Sequence, residues 1–238
     1  MFGDFSSFKI INLVNNYITK NKTKKIKVIF CIPNILINHF SNKLKKSNIL
    51  IGAQNCHYHD GYGPYTGSVN SIMIKKAGAK YVILGHSENR TDGDTDIMIN
   101  NKIRSAIKNN LMIIFCIGET LKQKKEGFTN KVLSKQIDSG LKLIKNLKKI
   151  IISYEPVWSI GTGIIPKYKE LNQTVSFIRN RLNKKFKNKN FVKIIYGGSV
   201  NPKNIKKLSG IEDINGFLIG GASQSGKKFI DIIKNCYM

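Results

Sequence analysis

Acidic residues are scarce in this 238-residue chain, where 14 Asp and Glu stand against 40 Lys and Arg and give a formal net charge of +26. Such an excess of positive charge ordinarily suggests a nucleic acid or an anionic membrane as partner. Here the lysines recur on every predicted helix instead of along one stripe, and aromatic residues do not alternate with them as in a base-stacking surface. We therefore expect no nucleic acid and no membrane partner, with a basic nucleic-acid binder left open as an alternative.

Long apolar runs are missing as well. No stretch approaches the roughly 18 to 20 apolar residues of a membrane span, and the first residues lack the basic-then-apolar layout of a signal peptide. A hydrophobic content of 41% is nonetheless enough for a sizeable core. These features predict one cytoplasmic globular domain over residues 1–238.

Cysteine pairs of the C-x-x-C type are absent, and the four cysteines are widely spaced. Reduced and mostly buried thiols are the expected state. The segment CHYHD, residues 56–60, does gather residue types that bind metals. Its spacing fits no zinc pattern, and no second Cys or His pair is near, so we expect no metal site.

Seven short runs rich in β-branched residues are present and predict strands: KVIFCI, NILIGAQ, KYVILGH, LMIIFCIG, KIIISYEP, VKIIYGG and INGFLIGG. Segments with helical spacing lie between them, one of them over residues 130–149, and another helix, DFSSFKIINLVNNYITK, precedes the first strand. The pattern predicts eight helices and seven strands, in a parallel sheet that helices cover on its faces. An eight-stranded β/α barrel lacks one strand on this count, whereas a doubly wound open sheet tolerates seven, so the pattern leaves both open.

Four of these strands end in unusual segments: GHSENR (85–90), YEPVWSIGTG (154–163), YGGSV (196–200) and IGGAS (219–223). Active sites of β/α proteins lie at the carboxyl ends of parallel strands. His86 and Glu155 each close a strand, so a closed sheet would point both into one mouth. A partly desolvated Glu155 would be a stronger base, and Ser87 is predicted to cap a short helix that keeps the His86 imidazole neutral. A capping glutamate and a structural histidine are the plainer readings.

Glycine-rich loops follow the last three of these strand ends: Gly161-Thr162-Gly163, Gly197-Gly198-Ser199 and Gly220-Gly221. Each lets backbone N–H groups approach an anion, and three such loops together suggest a phosphate. The segment GASQSGKK, residues 221–228, nearly matches a nucleotide-binding loop. Lys228 stands where a Ser or Thr should meet Mg²⁺, which argues against a nucleotidase.

With these motifs assembled, the chain resembles the triosephosphate isomerase family across essentially its whole length. ILGHSENR is similar to the family's electrophile segment, YEPVWSIGTG to its base and lid, and YGGSV with FLIGGAS to its phosphate loops. GAQN (52–55) and YTG (65–67) are similar to the strand and the projecting loop through which family members form dimers. The resemblance implies a TIM (β/α)8 barrel and an isomerase of dihydroxyacetone phosphate and glyceraldehyde 3-phosphate, in glycolysis and gluconeogenesis.

The resemblance also implies the residue roles. Glu155 would move the proton between two carbons and His86 would polarise the carbonyl, the division of labour known for this family. Ile160 and Leu218 would clamp over Glu155 and exclude water. No metal or organic cofactor is implied, and a homodimer through residues 56–67 is. The backbone that would hold the substrate phosphate belongs to Gly161, Ser199, Gly220 and Gly221.

Two departures from the family pattern are visible. Family members carry an Asn-x-Lys on their first strand, but here MFGDFSSF aligns with the turn after it, so we expect this strand and its lysine to lie upstream of Met1 or to be missing. A catalytically impaired phosphate-binding barrel is the corresponding alternative. The lid hinge reads Ile164-Ile165-Pro166. In the family the tyrosine matching Tyr196 accepts a hydrogen bond from the third hinge N–H, which a proline lacks.

Overall fold

Seven parallel strands form one sheet in this computed structural model, which describes residues 3–21, 26–187 and 191–237. Each strand pairs with the one before it in the chain. A doubly wound sheet would reverse its strand order partway, so this sequential order identifies the β/α barrel arrangement. All seven predicted strands are confirmed: β1 (Ile29–Ile32), β2 (Leu50–Ala53), β3 (Tyr81–Leu84), β4 (Met112–Ile117), β5 (Ile150–Tyr154), β6 (Lys193–Tyr196) and β7 (Ile214–Phe217).

The described residues contain ten α-helices, so the prediction of eight was wrong. They are α1 (Phe8–Lys20), α2 (Ile37–Lys43), α3 (Ser71–Lys76), α4 (Ser87–Thr91), α5 (Asp96–Lys108), α6 (Leu121–Lys125), α7 (Thr129–Gly140), α8 (Tyr168–Phe186), α9 (Ile205–Leu208) and α10 (Gly226–Tyr237). The two additional helices, α4 and α6, each precede the main helix of their unit. Caps stabilise such short turns: in α6, Thr120 and Gln123 form a reciprocal capping box.

Helix α7 is shorter than the helix predicted over residues 130–149, because it ends at Gly140. Leu143 has a φ of 63°, in the left-handed region that interrupts a helix. The Asn100 side-chain amide donates to the carbonyls of Gly140 and Lys142, at 2.8 Å each. These bonds satisfy two carbonyls that a longer helix would have bonded internally.

Hydrophobic residues pack on both faces of the sheet. The larger cluster lies between the strands and the helices, and a smaller inner cluster is centred on Tyr81, Ile83, Ile114, Cys116 and Ile195. Side chains of β1 and the residue after β7, Leu218, pack against this inner cluster too. The sheet therefore curls around a concave apolar face, and the carboxyl ends of its strands open at one rim.

The two ends of the sheet are its least covered parts. Within the described chain, β1 pairs only with β2 and β7 only with β6, which agrees with a barrel lacking its first strand as given. The space beside these edges belongs to a cavity of about 2350 Å³ that Phe30 and Phe217 line. Phe229 of α10 packs against Phe30, with ring centroids 5.3 Å apart. No helix in the described ranges has the length and apolar character to cross a bilayer.

Candidate active site

His86 lies directly after β3 and caps the short helix α4. Its Nδ1 accepts a hydrogen bond from the backbone N–H of Glu88 at 3.3 Å, so the prediction that Ser87 is the cap was wrong. The cap is the imidazole of His86 and not the smaller hydroxyl of Ser87, because the helix begins one residue earlier than the sequence predicted. An accepting Nδ1 carries no proton, and this bond assigns the proton of the neutral ring to Nε2.

Glu155 follows β5 and is 2% exposed. Its Oε2 lies 3.6 Å from His86 Nε2, and its Oε1 accepts a hydrogen bond from the Ser153 hydroxyl at 2.9 Å. Among the described residues, Oε2 has no hydrogen-bond partner. A buried acceptor left unpaired is costly, which is typical of a group reserved for a ligand.

Burial is the main influence on the Glu155 carboxyl, and it raises the pKa of that group. The nearby His86 and the Cys116 thiol act in the opposite direction, as do Ser153 and Arg90. A carboxylate with a raised pKa is a stronger base toward a carbon-bound proton. The geometry therefore suits Glu155 to proton abstraction.

The space that Glu155 occupies depends on Gly197, at the end of β6. A Cβ atom on Gly197 would lie 2.5 Å from Glu155 Cγ and 2.9 Å from both Glu155 Oε1 and Ser153 Oγ. No side chain fits at this position without displacing the carboxylate. The glycine of YGGSV therefore serves the carboxylate as well as any anion that the loop holds.

Arg90 fixes the turn between His86 and the next helix. Its Nε donates to the carbonyl of Gly85 at 2.8 Å, and its Nη1 donates to Asp96 at 2.7 Å. Its Nη2 donates to the carbonyl of Cys116 on β4 at 3.3 Å. The guanidinium thus links the ends of two strands and holds the His86 backbone in place.

The glycine loops meet at one cavity. The residues of the candidate site that line the 2350 Å³ cavity are His86, Ile160, Gly161, Ser199, Leu218, Gly220 and Gly221. Glu155 lies beneath this lining, against His86. Gly161 has a φ of 71°, in the left-handed region that favours a glycine at this point of the lid. The cavity also reaches the opposite end of the strands, and it is the strand order that brings the six predicted residues to one rim, because each follows the carboxyl end of β3, β5, β6 or β7.

Ser159, in the first part of the lid, joins three parts of this rim. Its Oγ lies 2.6 Å from the carbonyl oxygen of Ile164, 3.0 Å from Tyr196 Oη and 3.2 Å from the backbone N of Ser199. A hydroxyl has one proton and two lone pairs, so Ser159 donates to the carbonyl and accepts the other two bonds. Tyr196 remains a phenol that donates, since burial raises its pKa to about 12.

Behind the lid, Glu119 is a buried carboxylate that fixes aromatic side chains. It accepts hydrogen bonds from Trp158 Nε1 at 2.8 Å and from Tyr154 Oη at 3.2 Å. Lys124 Nζ lies 3.7 Å from the centroid of the Trp158 ring and 2.7 Å from Glu170 at the start of α8. The start of the lid is therefore anchored to two neighbouring units.

Lysines that line the cavity lie at two different ends of the strands. Lys193 begins β6 and is thus at the end opposite to His86 and Glu155. Lys203 and Lys228 follow strand ends and lie on the side of the rim. Lys193 therefore cannot face a substrate held at the candidate site.

The segment 56–60 uses its histidines for packing. His57 stacks on Tyr58 with ring centroids 4.3 Å apart, and His59 lies 4.5 Å from the Tyr65 ring. In the ranges that the structure describes, no three His, Cys, Asp or Glu side chains form a group that could hold a metal ion.

Sequence reasoning missed Ser153, Ser159 and Glu119. Ser153 had a usable signal, because residues two apart on a strand share a face and Glu155 closes that strand. Ser159 and Glu119 had none, since their partners come from other strands and from the lid.

Comparisons with known proteins identify the family of this chain. The family model described as triosephosphate isomerase matches residues 2–236. The triosephosphate isomerase of Clostridium tetani is 38% identical over 228 residues, which cover 94% of this chain and 89% of the relative, and that of Thermodesulfovibrio yellowstonii is 42% identical over 202 residues, covering 84% and 82%. The crystal structure of triosephosphate isomerase from Bartonella henselae superposes with a TM-score of 0.88 at 33% identity, covering 98% of this chain and 94% of the other. The chain belongs to the triosephosphate isomerase family.

Proposed function

We propose that this protein interconverts dihydroxyacetone phosphate and D-glyceraldehyde 3-phosphate, with Glu155 as the base and His86 as the electrophile. The observation that carries these roles is the pair of facing atoms, Glu155 Oε2 and His86 Nε2, 3.6 Å apart at one rim of the sheet. Family membership supports the reaction. The impaired-barrel alternative is not favoured, because the family match extends over residues 2–236.

The proposed reaction moves one proton between two carbons and one between their oxygens, and it leaves no net change in charge. Glu155 takes a proton from the carbon next to the carbonyl, and the C–H electron pair forms the double bond of an enediolate. His86 donates the hydrogen bond of its Nε2–H to the carbonyl oxygen, where negative charge develops. Protonated Glu155 then returns the proton to the neighbouring carbon, and the hydroxyl proton passes from the oxygen that becomes the new carbonyl to the oxygen that carried the old one. These two transfers complete the exchange of aldose and ketose.

The substrate phosphate is assigned to the glycine loops. Backbone N–H groups of Gly161, Ser199, Gly220 and Gly221 would donate to its oxygens, and no metal or organic cofactor takes part. The Ser199 N–H donates to Ser159 Oγ at 3.2 Å. A phosphate that takes over this N–H would release a lone pair of Ser159 at the base of the lid, which links phosphate binding to lid movement.

Substitution of the two catalytic residues tests the proposal. Glu155→Asp retracts the carboxylate by about one methylene, and a displacement of about 1 Å can cost ~10²-fold in turnover. His86→Gln should likewise lower kcat while the KM stays close to that of the parent. Unchanged turnover in Glu155→Asp, or a His86→Gln variant that loses only affinity, would contradict these roles.

We also propose a homodimer that forms through residues 56–67, in the cytoplasm and without a nucleic acid or membrane partner. The family resemblance supports it, and so does the loop itself. Tyr62 is 67% exposed, whereas Tyr58 and Tyr65 are 36% exposed and pack on the histidines of the same loop. Such a preordered loop with one protruding aromatic side chain suits a partner's pocket.

Sedimentation equilibrium tests the dimer. The parent should be a dimer at micromolar concentration, and Tyr62→Ala should weaken it by about tenfold or more. Phe191→Ala, which removes an equally exposed aromatic ring outside the loop, is the matched control. A stable and active parent monomer would reject the dimer, and steep salt dependence of DNA binding would favour the nucleic-acid alternative.

A further inference from the structure

Ser153 stands out because it is a fully buried hydroxyl on the strand that carries the base. It is 0% exposed and lies opposite Cys116 of β4 and Ile195 of β6 in the sheet register. Both neighbours are apolar or weakly polar. Burying a hydroxyl in such surroundings is unfavourable unless it is hydrogen-bonded, and its bond is the one to Glu155 Oε1 at 2.9 Å.

We propose that Ser153 is a positioning residue for the base: its hydroxyl holds Glu155 Oε1 and thereby leaves Oε2 as the oxygen that takes the proton. The proposal rests on the proposed isomerase function. It assigns different roles to the two oxygens of one carboxylate. The asymmetry is visible in the structure, since Oε1 has a donor and Oε2, 3.6 Å from His86 Nε2, has none within the described chain.

The surroundings allow this arrangement and little else. The absent side chain of Gly197 leaves room for both groups, because a Cβ there would lie 2.9 Å from Glu155 Oε1 and 2.9 Å from Ser153 Oγ. The backbone N–H of Glu155 donates to the carbonyl of Ile117, at 2.8 Å, which fixes the start of the side chain. These two hydrogen bonds restrain the backbone of Glu155 and one oxygen of its carboxylate.

The Ser153 bond also affects the acidity of the base. A donor to the ionised carboxylate stabilises the ionised form and lowers the pKa. Removal of the Ser153 hydroxyl should therefore raise the pKa of Glu155 further, in addition to the increase that burial causes. The other titratable or charged groups facing the carboxylate are His86 after β3, Cys116 on β4 and Arg90 on α4. Burial raises the pKa of Cys116, so it stays a neutral thiol.

The test is the pH dependence of kcat/KM in Ser153→Ala and Ser153→Cys. Both should shift the acid limb upward by roughly one pH unit and lower kcat by about tenfold, since a hydrogen bond to a charged group is lost or weakened. Titration of the substrate phosphate is common to all variants and does not contribute to the shift. Thermal unfolding checks that each variant is folded.

Ser71→Ala is the matched control, because Ser71 is also 0% exposed but bonds to the Ser105 hydroxyl, away from the site. It should leave the pH profile unchanged. A Ser153→Ala profile that superposes on the parent would overturn the proposal. A shift of the acid limb that appears in Ser153→Ala but not in Ser153→Cys would also overturn it. The cysteine keeps the volume of the side chain and gives up only the strong hydrogen-bond donor.

Infrared titration gives the same pKa without turnover. The carboxyl band that Glu155→Gln removes identifies the base, and its midpoint should move upward in Ser153→Ala. This measurement decides the Ser153 proposal even if the parent protein fails to isomerise triose phosphates. An inactive parent protein would reject the proposed function, and an activity assay of the parent by itself would show it.

Discussion

The middle of the sheet and its two ends differ in how completely they are covered. All four residues of β3 are buried, as are five of the six in β4, whereas β7 has no buried residue and β1 has one. His86 and Glu155 follow strands from the covered middle, while Gly220 and Gly221 follow β7 at the open end. The proposed proton transfer would thus take place where atomic positions are most restrained, and the proposed binding of a phosphate, which tolerates more adjustment, would lie nearer the edge.

The largest contrast between the two regions should come from adding one methyl group to each. Gly197→Ala places a Cβ 2.5 Å from Glu155 Cγ, which displaces the base and should lower kcat by ~10²-fold or more. Gly216→Ala on β7 places a Cβ 3.4 Å from Ile195, an ordinary contact, and should change kcat less than about twofold. Steady-state kinetics on folded variants compares them. Equal losses in the two would show that the middle of the sheet is no more restrained than the edge.

Closing the sheet should remove much of the contrast in stability. A strand of about five or six residues, fused ahead of residue 3, can pair with both open edges and cover the cavity that they line. The unfolding midpoint should rise by several degrees, since about 1 kcal/mol corresponds to about 2–4 °C at this size. An extension of equal length made of Gly and Ser is the control. The same midpoint in both would mean that the edges of β1 and β7 cost no stability.

The lid sits at the border of the two regions and should respond in opposite directions to two substitutions. Ser159→Ala removes the bonds to Ile164, Tyr196 and Ser199, so it should destabilise the lid by about 1–3 kcal/mol. A less stable lid should let more enediolate lose phosphate to form methylglyoxal. Pro166→Ala restores a backbone N–H in the hinge and should lower the yield of methylglyoxal per turnover. Assay of methylglyoxal during turnover tests this. Equal yields in both variants and the parent would show that neither bond holds the lid.

The smallest predicted effect concerns the stability cost of the base itself. Burial raises the pKa of Glu155 in the folded protein above the ordinary value of 4.5, so the unfolded state loses its proton first as the pH rises. The stability that the protonated carboxyl contributes is fully present below the pKa of the unfolded state. It is lost as the pH rises through the pKa of the folded state. Glu155→Gln avoids this loss and should unfold at a higher temperature than the parent at neutral pH, but not at acidic pH. A constant difference between the two proteins across the pH range would contradict the buried charge as its cause.

The sequence predicted what depends on local pattern. Each strand is a short apolar run between polar segments, and His86 and Glu155 were found because they close such runs. The helix count was wrong because α4 and α6 are single capped turns, too short to show an apolar period. Ser159 was missed because its partner Tyr196 comes from another strand. Ser153 was missed although its spacing of two residues from Glu155 places both on one face of the strand.

The unpaired oxygen of Glu155 has a consequence for inhibitor chemistry. Folding has already borne the desolvation of Oε2, which accepts no hydrogen bond from the described residues. A small anion that is anchored by its charge in the glycine loops and carries a neutral N–H or O–H donor toward Oε2 would satisfy this acceptor without displacing a competing protein donor. Within a series of such compounds, replacing that donor by a methylene should weaken inhibition by about tenfold or more, a larger loss than the same change would produce at a solvated carboxylate.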